Sequence, residues 1–150
     1  MNEPGRGYGF AIRKGIKKSK FNNVLFIDGD GSYSPQEIPK IFNEFIEQNA
    51  DIALASRFKG GLERGSMPLI NFAGNKLLTF LINLFFKADV SDSQSGLRLF
   101  KKKSIKKLKL SSNGMEFASE MIIKARKKKL KILKDGLRHL KLIFHELFTN

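Results

Sequence analysis

Residues 24–35 read Val24-Leu25-Phe26-Ile27-Asp28-Gly29-Asp30-Gly31-Ser32-Tyr33-Ser34-Pro35. Four apolar residues run into two carboxylates one residue apart. Glycine, serine and a proline that opens a helix follow. A short apolar run bounded by turn residues reads as a buried strand. Open α/β sheets bind ligands at the carboxyl ends of their strands, so Asp28 and Asp30 are expected where ligands sit. Two hard oxygen donors at i and i+2 on a turn can share one divalent cation. The plainer alternative is that both carboxylates only cap the turn.

Downstream, Ser34-Pro35-Gln36-Glu37 has the form of a capping box with proline at the first helical position. A helix from 35 to about 48 follows, with Ile38, Ile41, Phe42, Phe45 and Ile46 on one face. Asp51 to Ala55 reads as a second strand, which makes a βαβ unit with a right-handed crossover. Ser56-Arg57 then lies on the same sheet edge as Asp28. Upstream, Gly5-Arg6-Gly7-Tyr8-Gly9 precedes a helix-like stretch, Phe10 to Lys20. Such glycines either let backbone N–H groups approach a phosphate or form a plain loop.

A glycine-rich charged loop, 59–67, leads to a helix-like segment from about Pro68 to Phe86. Its apolar residues wrap most of the way round, so it is either buried or laid against something greasy; burial is the expected case. Asp92-Ser93-Gln94-Ser95-Gly96 is a polar loop entering a short strand, Leu97–Phe100. Glu116 to Lys128 reads as a helix, with Glu116 and Glu120 on one face. Residues 130–133 read as a short strand, and Gly136 to Phe148 as an amphipathic helix carrying His139, a residue read as packing or helix-end chemistry.

The 150 residues allow one domain with a real core. There is no cysteine, which excludes disulfides and thiolate metal sites. No signal peptide is visible, and the apolar-rich stretch from Leu77 to Phe86 is too short to span a bilayer. The net charge is +14, of which +3 falls on residues 1–100 and +11 on residues 101–150. The basic C-terminal part suits an anionic membrane surface, nucleic acid or phosphorylated ligands, or is simply a solvated lysine-rich face.

Taken together, the motifs resemble those of family 2 glycosyltransferases. Residues 26–35 resemble the segment "DADgqyxP", Ala55-Ser56-Arg57-Phe58 the "GSRF", and Gly74-Asn75-Lys76-Leu77 the "GNxL" helix. Residues 92–100 are similar to "DtqSGFRlF", and Gly136-Leu137-Arg138-His139-Leu140 to "dGlRHL". Gly5 and Gly7, with Ala11 and Gly15, fit the segment "GkGxAxxxG". The nearest subgroup is the dolichol- or polyprenyl-phosphate mannosyl- and glucosyltransferases.

The resemblance implies a GT-A-like, Rossmann-like α/β fold: a mixed, mostly parallel sheet flanked by helices. It implies an N-terminally truncated, single partial domain over 1–150, lacking the family's first strands and its nucleoside half. A partner chain supplying that half, or a fragment inactive alone, is the corresponding expectation. The implied reaction is inverting transfer of a sugar from a nucleotide sugar (GDP-mannose or UDP-glucose) to a polyprenyl or dolichyl phosphate, by a protein peripheral to the cytoplasmic membrane face. Asp28 and Asp30 are the implied ligands of Mg²⁺ or Mn²⁺, and with Arg98 the implied catalytic residues. Arg57, Arg98, Asp92, Ser95, Gly5 and Gly7 are the implied substrate-binding residues, the two arginines as bidentate phosphate clamps.

Other readings fit less well. Residues 24–32 also resemble the first motif of haloacid-dehalogenase-type phosphatases, but Asp89 with Asp92 is a poor match to the later aspartate pair. An EF-hand loop fails because Tyr33 and Pro39 stand where glycine and glutamate are needed. A basic nucleic-acid-binding module has no recognised motif behind it, and nucleic acid is not an expected partner.

Overall fold

The computed structural model of the chain describes residues 7–56 and 69–133. Within them the chain runs α1 (Tyr8–Lys18), β1 (Asn23–Ile27), a 3₁₀ turn (Pro35–Glu37), α2 (Ile38–Glu47), β2 (Ile52–Leu54), α3 (Leu69–Phe86), β3 (Leu97–Lys101), α4 (Lys102–Leu108), α5 (Phe117–Lys127) and β4 (Ile132–Leu133). Arg57, Gly5, His139 and the expected C-terminal helix lie outside the described residues.

The four strands form one mixed sheet in the order β1-β3-β2-β4. β3 is antiparallel to both β1 and β2, while β2 and β4 are parallel. Three strands therefore share one direction, and the reversed β3 stands between the two arms of the expected βαβ unit. β3 holds that central place because its residues Leu97 to Phe100 are fully buried, whereas β1 is only half-buried throughout. A strand apolar enough to be covered on both faces belongs inside a sheet.

Strand alternation divides the core. Ile52, Leu54 and Phe100 face a cluster built with Ile16, Ile105, Phe117, Met121 and Ile122. Ala53, Leu99 and Leu133 face Phe45 and Ala50, with Leu25 and Ile41 packed alongside. α2 thus covers one face of the sheet, and α1, α4 and α5 the other.

Several local expectations change in the folded chain. Ser34 makes no side-chain cap bond; its hydroxyl donates to the Gln36 side-chain oxygen instead, and a 3₁₀ turn precedes α2. The short α4 follows β3 directly, in a stretch for which the sequence suggests no element. Its Ser104, Ile105 and Leu108 are buried, while Lys103, Lys106 and Lys107 are exposed. The largest change concerns α3. Burial was expected all round, yet Leu77, Phe80, Leu84 and Phe85 are 57–71% exposed.

Candidate active site

β1 delivers Asp28 to the site. The Asp28 N–H donates to the Gly96 carbonyl at 2.9 Å, extending the β1–β3 ladder one residue past the Ile27–Leu97 pair. The carboxylate then lies flat against the Gly96 backbone. A Cβ at position 96 would stand 2.0 Å from Asp28 Oδ2 and 2.5 Å from its Cγ. Glycine is required here by close approach, and the half-buried carboxylate has its position set by it. Asp30 is exposed on the turn, where its Oδ1 accepts from the Ser32 N–H at 2.9 Å. Gly31 takes a positive φ of 80°, which suits a tight turn at no steric cost.

The loop 92–96 is the other wall. Asp92, Ser93 and Ser95 are buried, so their polar groups need partners. The Asp92 Oδ1 accepts from the Gln94 N–H at 3.0 Å. Thr79 Oγ1 accepts from the Ser93 N–H at 3.1 Å and pairs with its hydroxyl at 2.9 Å. Tyr33 fastens this loop to the aspartate turn: its hydroxyl donates to Ser95 Oγ at 3.2 Å and accepts from the Gly96 N–H at 3.0 Å.

Arg98 lies beneath the loop and is fully buried. Its Nε donates to the Ser95 carbonyl at 2.8 Å, one terminal nitrogen to Ser93 at 2.9 Å and the other to Ala118 at 3.0 Å. The guanidinium fork is thus spent on main-chain carbonyls of the loop and of α5, and its geometry is that of a positioning residue for the loop. Burial pulls its pKa below the ordinary arginine value, opposed by Tyr8, Asp92, Tyr33 and Asp28. An arginine has so far to fall that it remains a cation, a fixed positive charge under the acidic site.

Gly7 and Gly9 serve packing. A Cβ at Gly7 would meet the Asn113 carbonyl at 2.3 Å, and one at Gly9 the Ser112 carbonyl at 2.4 Å. They let α1 close on the 112–114 segment. β2 brings Ala55 beside β3, its N–H donating to the Leu97 carbonyl at 3.0 Å, and Ser56 is buried there. A cleft of about 540 Å³ runs between α1 and the free side of β1, with Tyr8, Ile12, Phe26 and Phe100 as walls and Asp28 and Gly29 at its rim.

Glu116, just before α5, and Glu120 within it separate in role. Glu120 accepts from the Ser111 and Ser112 N–H groups at 3.0 Å and from Lys124 Nζ at 2.6 Å, while Glu116 accepts from the Gly114 N–H at 3.0 Å. Burial alone would raise the Glu120 pKa, but these donors outweigh it and hold it at about 2. Because the folded value lies below the ordinary 4.5, this carboxylate stabilises the fold above about pH 4.5 and loses that contribution as pH falls towards 2. Glu120→Gln is expected to destabilise the chain at neutral pH and to flatten the acid limb of its stability curve, read from urea melts between pH 2 and 7. An acid limb parallel to wild type would refute this role.

The donor set suits a divalent cation. Asp28 and Asp30 carry hard carboxylate oxygens, and among the described residues no group of three or more acidic, histidine or cysteine side chains gathers. Mg²⁺ is commonly held by one or two carboxylates, with water and substrate phosphates completing the shell. Tyr33 and Gly96 are the residues that side-chain chemistry does not announce. A glycine at the entry to a strand pattern, beside a polar loop, is the signal for Gly96; Tyr33 carries none.

Comparison with known proteins gives the site its context. The chain is 41% identical over 129 residues to the low-salt glycan biosynthesis hexosyltransferase Agl6 of Haloferax volcanii, covering 85% of this chain and 31% of that protein. It is 35% identical over 136 residues to a UDP-N-acetylglucosamine–dolichyl-phosphate N-acetylglucosaminyltransferase of Methanococcus voltae, covering 87% of this chain and 54% of the relative. The chain therefore spans between a third and about half the length of these relatives. A sequence profile described as "Glycosyl transferase family 2" matches residues 1–109, the part that holds the aspartate turn, the loop 92–96 and Arg98. That span includes residues 24–32, so the phosphatase reading of the same aspartates gives way, and the chain belongs to glycosyl transferase family 2.

Proposed function

We propose that this chain carries the metal-turn and acceptor-loop part of a hexosyltransferase that moves a sugar from a nucleotide sugar to a dolichyl or polyprenyl phosphate. The observation that carries the reading is the seating of Asp28 on Gly96. It joins the aspartate turn to the loop 92–96 at the carboxyl end of β1, in a chain of this family. In the proposed reaction an oxygen of the lipid phosphate bonds to the anomeric carbon. The bond from that carbon to the nucleoside diphosphate breaks, with inversion. Mg²⁺ or Mn²⁺ on Asp28 and Asp30 would supply Lewis-acid stabilisation of the departing diphosphate.

The chain's own residues bind and orient. Asp28 is held rigid by Gly96, and Asp30 is presented on the exposed turn. Arg98 keeps the loop bearing Asp92 and Ser95 in place and sets a positive field beneath it. Arg57 and Gly5 complete the proposed substrate contacts, whereas Gly7, packed against the Asn113 carbonyl, supports α1 instead. The acceptor is already an anion, so positioning and electrostatics outweigh general-base help.

Calorimetry with UDP-glucose, GDP-mannose and UDP-N-acetylglucosamine tests this. Binding of one donor is expected to require Mn²⁺ and to weaken at least tenfold in Asp30→Asn, since a ligand carboxylate is lost. Donor binding indifferent to both metal and Asp30 would refute it.

A further inference from the structure

α3 is a helix turned inside out. At 3.6 residues per turn, Thr79, Ile82 and Asn83 fall on one side, and that side faces the protein. Thr79 holds Ser93 as described, and Asn83 exchanges two hydrogen bonds with the Val90 main chain, at 2.8 and 3.0 Å. The opposite side is wholly apolar and outward. Leu77, Phe80, Leu84 and Phe85 are 57–71% exposed, and Leu78 and Leu81 extend the same strip. Soluble monomers seldom leave so continuous an apolar face uncovered.

The border of this face is cationic. Lys76 Nζ stands 5.8 Å from the Phe72 ring centre, and Lys127 Nζ 5.6 Å from that of Phe86. Lys87 is exposed just past the helix end, and Lys128 and Lys129 continue from Lys127. Asp89 is the one acid between residues 69 and 91. No helix among the described residues is long and apolar enough to cross a membrane. An apolar strip rimmed by lysines fits a helix lying in the plane of a bilayer, with its cations at anionic headgroups.

We infer that the outer face of α3 docks the chain on an anionic lipid bilayer. Because the inner face of the same helix grips Val90 and Ser93, docking sets the loop 92–96 and Asp28 at a fixed depth from the lipid surface. That consequence rests on the lipid-phosphate acceptor proposed above; the docking itself does not.

Sedimentation with vesicles tests it, using phosphatidylcholine alone and phosphatidylcholine with roughly one-third phosphatidylglycerol. The wild-type chain is expected to bind the anionic vesicles, and the neutral ones at least tenfold more weakly. Phe80→Ser with Leu84→Ser replaces exposed side chains and is expected to keep the circular dichroism and melting of wild type. It should lose at least tenfold in vesicle binding, since two large apolar groups no longer enter the lipid. Lys87→Gln with Lys127→Gln should lose the preference for anionic vesicles.

Equal binding of the serine variant and wild type would overturn the inference. So would a wild-type dimer in sedimentation velocity that the serine variant abolishes, since the face would then be covered by a second copy. Donor calorimetry on the same samples separates the two proposals. Vesicle docking without metal-dependent donor binding would leave the membrane face standing and overturn the proposed donor site, and the reverse result would do the opposite.

Discussion

Gly96→Ala is expected to abolish metal-dependent donor binding while leaving the chain folded. The added methyl would stand 2.0 Å from Asp28 Oδ2, 2.5 Å from Cγ and 3.0 Å from Cβ. Contact along the whole side chain cannot be relieved by swinging its tip, so the carboxylate must rotate away from its seat. A crowding substitution of this kind costs roughly 1–3 kcal/mol. The loss of binding should match that of Asp28→Asn, because both leave the site without an aligned carboxylate. The cause is checked by a double-mutant cycle. In an Asp28→Ala background the 2.0 and 2.5 Å contacts are gone and only the 3.0 Å contact with Cβ is left, so adding Gly96→Ala should cost less than it does in wild type, giving a coupling energy well outside the range for independent sites. Wild-type donor affinity in Gly96→Ala, or strict additivity in the cycle, would show that Asp28 is not held by this contact.

Arg98→Met is expected to produce the largest stability loss of any single change described here. The guanidinium is fully buried and donates to the carbonyls of Ser93, Ser95 and Ala118. Removing it orphans three main-chain acceptors. Each buried acceptor left unsatisfied costs roughly 1–3 kcal/mol. Arg98→Lys keeps the charge but not the planar fork, and should recover only part of the loss. Urea unfolding without substrate, with amide exchange at Ser93, Ser95 and Gly96, reads the effect. A phosphate clamp would behave differently: both variants would melt like wild type and fail only in donor or acceptor binding. That pattern would return Arg98 to the direct role its motif implies.

The two results bear on one physical arrangement. Asp28 and the loop 92–96 are far apart in the chain and are joined by two devices, the Asp28–Gly96 main-chain bond and the Tyr33 hydroxyl, while the buried Arg98 ties the loop to α5. Binding groups held by such surroundings lose little freedom when substrate arrives. The same loop is fastened to α3 by Thr79 at Ser93, and the residues leading into it by Asn83 at Val90, which ties the site to the helix whose outer face is apolar.

Much of this was determined by the sequence alone. Residues 24–27, 52–54 and 97–100 read as strands because short apolar runs end in turn residues, a local property that survives folding. The period of α2 and the spacing of Asp28 and Asp30 are equally local, and the ordered motifs carried the family. Tertiary structure decided what depends on partners distant in sequence. β3 enters between β1 and β2 because the strand that can be buried on both faces takes the centre of the sheet. Arg98, which a motif presents as a phosphate ligand, lies inward, where its donors satisfy two carbonyls of the loop and one of α5. Which side of α3 faces outward was undecidable from composition, since apolar residues occur nearly all round it; the choice follows from Thr79 and Asn83, whose hydrogen-bond partners exist only once the loop 90–96 has folded beside them.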